Sequence, residues 1–443
     1  MDSEGWLARN PNAGLILYST LGAGIVAIIL LTNWPTYHYQ IRGGPVALWY
    51  YSLPVVLVVP LLFAHPDLAF RYLKEPLTWW FLLFVLSGLP SLLLSQDFIE
   101  DASHQWRLRV LAFGLFYCIA ILTTNVNRSF LALVIVFCIL IASAANWFDI
   151  LRPFRFVPQG MEGAHSGRGA GFFINANVAA SFIAMATIAA LPFVPMRFRA
   201  TILLVGAIGI TPTFSRSGFL YVGLLLIGAI AMKLLNRVQT ALVLIAVPAL
   251  IAATAVSYDF LMSASDDVNL HTVVRRLEWF QGFGEEDQAV EGRKIGAQQA
   301  WRLFLDDPIT GRGLGATMLE SEGMEGSHNM YLMLMGEQGF VGLFLYVGLI
   351  GVLVRQGRRL VKTAIDKEGQ DVGHALLLYA AFLFAYGFFS HNVLEEAQGI
   401  FVMAFIAAAA STAPRAAFWA QTRSADFHGG EGVRGARPRL DHS

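Results

Sequence analysis

Charge is what this chain is short of. Lys, Arg, Asp and Glu make up 14% of its 443 residues, against roughly 25% in soluble globular domains. The charges present cancel to a formal zero, which leaves no bulk field to hold nucleic acid. Cysteine is nearly absent. Cys118 and Cys138 both sit in apolar runs, so no disulfide framework and no cysteine metal cluster is implied. A nucleotide-binding loop is missing too. Residues 311–315 read GRGLG, but no strand precedes them and no GK[ST] follows. No set of His, Asp and Glu has convincing metal-ligand spacing. Glu320, Glu322 and Glu325, just before His328, read as a solvated loop. The chain is therefore expected to use no metal and no cofactor.

Apolar sequence is what it has in excess: 56% of residues are hydrophobic and the mean hydropathy is +0.56. Apolar runs recur between residues 13 and 412, many of roughly 18–20 residues, enough to cross a hydrocarbon core of about 30 Å. The expected fold is an all-α polytopic membrane protein of about twelve transmembrane helices. The spans are expected at 13–31, 46–63, 77–95, 109–124, 129–147, 172–193, 199–214, 217–235, 239–257, 329–354, 372–390 and 393–412. The first run lacks an A-x-A cleavage site and is long for a signal peptide, so it is expected to be a retained span. Residues 413–443, rich in Gly, Arg, Asp and His, read as a disordered tail.

Orientation follows from Lys and Arg in the short loops. With the N-terminus inside, the cytoplasmic segments hold Arg71, Lys74, Arg128, Arg197, Arg199, Lys233 and Arg237, then the set from Arg355 to Lys367. Both ends then lie in the cytoplasm. Residues 258–328 become one long outer loop, too long to be a simple connection. Within it GRKIGAQQAWRLFLDDP reads as a helix, with Ala297, Ala300, Trp301 and Phe304 on one stripe. Asp306, Asp307 and Pro308 stop it.

Several arginines fall on the outer side, where the positive-inside rule does not ask for them: Arg42, Arg107, Arg109, Arg152 and Arg155 in the first half, then Arg168, Arg216, Arg275, Arg276, Arg293 and Arg302. Arg216 stands in TPTFSRSGFL, a tight turn between two apolar runs. A cation at that depth normally faces a cavity or a partner. It reads either as a diphosphate ligand or as a snorkelling anchor. Arg168 stands among glycines that let a ligand approach backbone closely. Arg275 and Arg276 open RRLEW, and Arg293 flanks the loop helix. His328 and Asn329 stand at the head of a long apolar helix. A neutral imidazole there can take a proton from a hydroxyl, or it can merely cap the helix; Asn329 reads as a capping or orienting residue. Glu337, nine residues on, lies on the opposite helix face and reads first as a helix–helix contact. A second Ser-His-Asn, residues 390–392, precedes Glu395 and Glu396 and reads as a polar loop or as part of the same cavity.

Taken in order, GRGAGFFINANVAA, TFSRSG, RRLEW before a long outer loop, DDPITGRGLG and SHNMYLMLMGEQGFVGL resemble the O-antigen ligase and polymerase superfamily. The resemblance covers roughly residues 165–350 as a catalytic region containing the 258–328 loop; residues 1–164 and 351–412 are then flanking transmembrane helices. It implies a GT-C-like helical fold in the bacterial inner membrane, with its active site on the periplasmic face. It implies transfer of a glycan from undecaprenyl diphosphate to an acceptor hydroxyl, on an acceptor glycan or lipid A core. The family's catalytic histidine falls on His328, its turn arginine on Arg216 and its loop arginine on Arg276, with Arg275 as an alternative. Arg168, Arg293 and Asn329 are further substrate-binding candidates, and Asn177 is a structural one. A polymerase with the same chemistry and a lipid-linked glycan transporter are the competing readings. The transporter reading expects paired broken helices and charges near the midplane.

Overall fold

The structure is a computed structural model that describes residues 13–43, 48–95, 99–152, 154–158, 168–263, 288–319 and 327–413. Every regular element among these residues is helical. The first half contributes α1 (Ala13–Leu31), α2 (Trp34–Arg42), α3 (Leu48–Ala64), α4 (Asp67–Tyr72), α5 (Pro76–Leu94), α6 (Ile99–Leu122) and α7 (Arg128–Leu151). Then come α8 (Ala176–Ala190), α9 (Arg199–Ile210), α10 (Arg216–Ala231) and α11 (Arg237–Ser263). The last part holds α12 (Gln288–Asp306), α13 (Ala316–Leu319), α14 (Met330–Thr363), α15 (Lys367–Tyr386) and α16 (Ala397–Thr412).

Each expected span falls on one of these helices, but length and composition do not support twelve crossings. Among the described residues six candidate spans are long and apolar enough, and they fall on α1, α5, α6, α7, α8 and α14. Four apolar helices are shorter, in α3, α10, α11 and α16. The expected span 199–214 is the clearest correction. α9 has 12 residues, about 18 Å at 1.5 Å per residue, well short of a 30 Å core. Pro212 sits in a 3₁₀ turn and Phe214 adopts φ 45°, so the chain turns there.

Two helices form the centre. In α8 every residue from Ala179 to Ala190 is buried, and in α16 every residue from Ala397 to Ala410. Both are rich in alanine, which lets neighbouring helices come close where apolar burial no longer discriminates between lipid and protein. Outward faces carry large apolar side chains, among them Leu17, Phe63, Trp79, Ile227 and Phe344, as a lipid-facing surface requires.

The loop helix is present as α12, and it packs on α14. Its buried face is Ala300, Leu303 and Phe304. Trp301, expected on that stripe, is 45% exposed, because the true contact line follows the close approach of Gly336 to Ala300.

The chief irregularity lies in α14, which is two helices joined at Gly339 (φ 61°, ψ −148°). A loop fills the break. The Arg312 and Gly313 N–H groups donate to the Gly336 and Glu337 carbonyls, both at 3.0 Å, and the Phe340 N–H donates to the Pro308 carbonyl at 2.8 Å. An interrupted helix in an apolar setting must have its freed backbone groups satisfied by protein, and the DPITGRG segment supplies the partners. Only glycine fits: a Cβ on Gly311 would stand 2.3 Å from the Glu337 carbonyl carbon, and one on Gly339 would stand 2.5 Å from the Ile309 carbonyl.

Candidate active site

The turn that presents Arg216 is built from buried polar groups. Ser215 is the N-cap of α10, its hydroxyl accepting from the Gly218 N–H at 3.2 Å. The same hydroxyl donates to Asn177 Oδ1 at 2.8 Å. Asn177 also accepts from Arg168 Nη2 at 2.8 Å, while Arg168 Nε donates to the Thr213 carbonyl at 3.0 Å. The Gly169 N–H donates to the Pro212 carbonyl at 2.8 Å. So Arg168 and Gly169, before α8, clasp the turn before α10. Arg168 is buried in this clasp. Phe214 is a bulky residue held in the left-handed region, a local cost that persists only where surroundings fix it. Arg216 follows it, half-buried, as the first residue of α10.

α9 starts at the buried Arg199. Twelve residues of α-helix and three of 3₁₀ helix advance the chain by roughly 24 Å. The turn carrying Arg216 therefore lies about that far from Arg199 along the chain's helical path.

His328 lies beside the start of α14. Asn329 is the N-cap, its side chain accepting from the Leu332 N–H at 3.0 Å, so capping falls to Asn329. His328 is half-buried, and its ring centroid lies 5.7 Å from that of His391. The second Ser-His-Asn thus meets the first. The Met330 N–H donates to the Gly387 carbonyl at 2.8 Å, which ties the head of α14 to the end of α15.

An aromatic bridge links the two features. Tyr221, five residues into α10, has its ring centroid 4.8 Å from Phe382 and 6.4 Å from Tyr386 of α15, and Tyr386 precedes Gly387. Arg216 and His328 thus belong to one end of the bundle. Arg293 stands exposed on α12. Arg275 and Arg276 lie outside the described residues, as do Glu320, Glu322 and Glu325.

Beneath this end lies a set of charges that the sequence left scattered. Arg109 of α6 and Glu337 of α14 are 1% and 4% exposed and 3.8 Å apart. The Arg109 guanidinium also sits 4.3 Å from the Phe84 ring centroid, a favourable cation–π placement. Glu337 accepts from the Thr317 hydroxyl at 2.8 Å. It is the helix contact expected, and it also clamps the loop that plugs α14. Burial pushes Glu395 up to about 7, with Arg109 opposing the shift and Glu337 adding to it. Burial and the neighbouring Glu395 push Glu396 up to about 7. The sequence signal for this cluster was present, an arginine inside an apolar run and paired glutamates after a second Ser-His-Asn, but nothing along the chain joined the parts. Among the described residues no group of three or more His, Cys, Asp or Glu could hold a metal ion.

A helical bundle with outward-facing apolar sides and six candidate membrane spans among the described residues defines a multi-pass α-helical membrane protein. Residues 200–347 match the Wzy_C family model, described as O-Antigen ligase. This stretch runs from the second residue of α9 past the break in α14, and so takes in the Arg216 turn, the loop helix and His328. It carries a domain of the O-antigen ligase and polymerase superfamily. No curated protein matches the chain.

Proposed function

We propose that the protein transfers a glycan from undecaprenyl diphosphate to an acceptor hydroxyl, in the manner of an O-antigen ligase. The observation that carries this reading is the link between the Arg216 helix and the head of α14 beside His328, through Tyr221, Phe382, Tyr386 and Gly387. His328 takes the proton of the acceptor hydroxyl as its oxygen attacks the anomeric carbon. The bond from that carbon to the diphosphate oxygen breaks, and the electron pair leaves with the diphosphate. The leaving group carries charge throughout, so it requires cations rather than a proton; Arg216 and Arg276 are assigned that part. The reaction as written uses no metal. The site is assigned to the periplasmic face of the bacterial inner membrane, where the loop-charge pattern puts 258–328.

A transporter is the less favoured reading. One helix is interrupted among the described residues, but its break is filled by the backbone of residues 308–313 and is not left to line a path for substrate.

The test uses purified protein with an undecaprenyl-diphosphate glycan and candidate acceptors. Transfer to lipid A core marks a ligase and chain growth a polymerase; no new glycosidic bond sinks the proposal. Activity should survive EDTA. Loss on chelation that Mg²⁺ or Mn²⁺ restores would overturn the metal-free scheme. His328→Ala should still bind the donor and fail to transfer it, whereas Arg216→Ala should lose both. Lysine should not fully replace Arg216, since it offers a point charge and not a planar fork.

A further inference from the structure

At the other end of the bundle is a cavity of about 310 Å³ that the proposed transfer does not use. Lys74, Arg355 and Arg359 line it, with Gln356 and a single carboxylate, Glu75. Arg355 and Arg359 are four residues apart on α14 and so share one face. Arg355 lies 25 residues beyond Met330 on α14, roughly 35 Å along the helix, so this is a place apart from the His328 end. Its inner wall is apolar, formed by Val352, Leu360 and Ala410. From its mouth an outward apolar stripe runs along α5: Trp79 is 54% exposed, and Leu83, Leu86 and Leu93 follow at helical spacing.

We infer that this cavity is a binding site for the headgroup of an anionic phospholipid. Three cations against one carboxylate leave a net charge of about +2, suited to a phosphate diester. Gln356 adds a neutral hydrogen-bonding group. The exposed stripe on α5 gives the acyl chains an apolar track, and Trp79 stands where an interfacial ring is favoured. A soluble anion would have no use for that track. Basic recesses between transmembrane helices are a recurrent chemical solution for such headgroups.

The test uses the purified full-length chain. Wild type should retain dioleoylphosphatidylglycerol through detergent exchange, and the lipid should raise its unfolding temperature, while dioleoylphosphatidylcholine should do neither. Each cation removed should weaken retention about fivefold, so Lys74→Gln with Arg355→Gln and Arg359→Gln should nearly abolish it. Val352→Trp keeps all three cations and fills the cavity; it should lose retention as well, which covers the case of a triple variant that does not fold. Stabilisation by inorganic phosphate equal to that by the lipid would make this an anion site and overturn the lipid assignment. Retention unchanged in Val352→Trp, or in a folded triple variant, would show general lipid adhesion and sink it too.

Discussion

The two ends of the bundle use arginine in opposite ways. At one end Arg199 is enclosed: its guanidinium reaches Asp371 at 2.5 Å and the carbonyls of Val194, Leu234 and Pro192 at 3.3–3.5 Å. Asp371 also meets Lys367 at 2.9 Å. Arg128 joins the same end to α15 and α16 through Glu368 and Thr412. These pairs staple helix ends together. At the other end the polar clasp of Arg168, Asn177 and Ser215 is spent on holding a turn, and Arg216 rides half-buried on the strained backbone after Phe214. Arg199 closes an ion pair inside a buried niche, whereas Arg216 stands half-buried at the head of a helix whose N-cap is held by the clasp. The residue type is the same, and the surroundings assign the work.

The comparison breaks most sharply through activity and stability measured together. His328→Ala should lower transfer by about 100-fold to 10,000-fold with an unfolding temperature within a degree or two of wild type. Near-normal transfer by the folded variant would return His328 to the role of a helix-end histidine.

At the stapled end the pattern should invert. Arg199→Ala should cost about 3–5 kcal/mol, the usual loss when one partner of a buried ion pair is removed, while activity per folded molecule stays near wild type. Arg199→Met combined with Asp371→Leu should recover much of that stability, since no charge is then left unpaired. Chemical unfolding in detergent reads both. A large drop in specific activity of the folded Arg199 variant would erase the distinction between the ends.

The break in α14 is the link between the halves, and Gly339→Ala tests it. The new Cβ would meet the Ile309 and Pro308 carbonyls at 2.5 Å on a backbone with φ 61°, a combined cost of roughly 2–5 kcal/mol. Gly348→Ala, nine residues on with nothing within 4 Å, should change stability by less than about 1 kcal/mol. Equal effects would mean that the inserted loop contributes nothing to the fold.

A further effect is the dependence on pH. Glu395 and Glu396 take up a proton near 7 in the folded chain and near 4.5 ordinarily. The folded state therefore holds more protons between those values, and stability falls as pH rises from 4.5 to 7. Glu395→Gln with Glu396→Gln should flatten this slope and raise the unfolding temperature at pH 8. A slope unaltered by the double substitution would remove these carboxyls from the account.

Much of this protein is written in its sequence because hydropathy and local capping act over short stretches. Runs such as 13–31 and 128–151 become helices wherever they are placed, since a backbone among apolar groups must satisfy its own hydrogen bonds. The Asn329 cap and the stop after Asp306 were legible for the same reason, and of the resemblance over 165–350 the family model matches 200–347. Tertiary structure alone decided that α9 ends after 12 residues and that a glycine loop enters α14. It alone decided that Trp301 faces outward and that the second Ser-His-Asn meets the first. It also brought Arg109 to Glu337 across 228 positions, and Arg168 to Thr213. A charge inside an apolar run states that a partner exists, because its burial demands one; which residue that partner is depends on helices folding back past one another, and no local pattern records it.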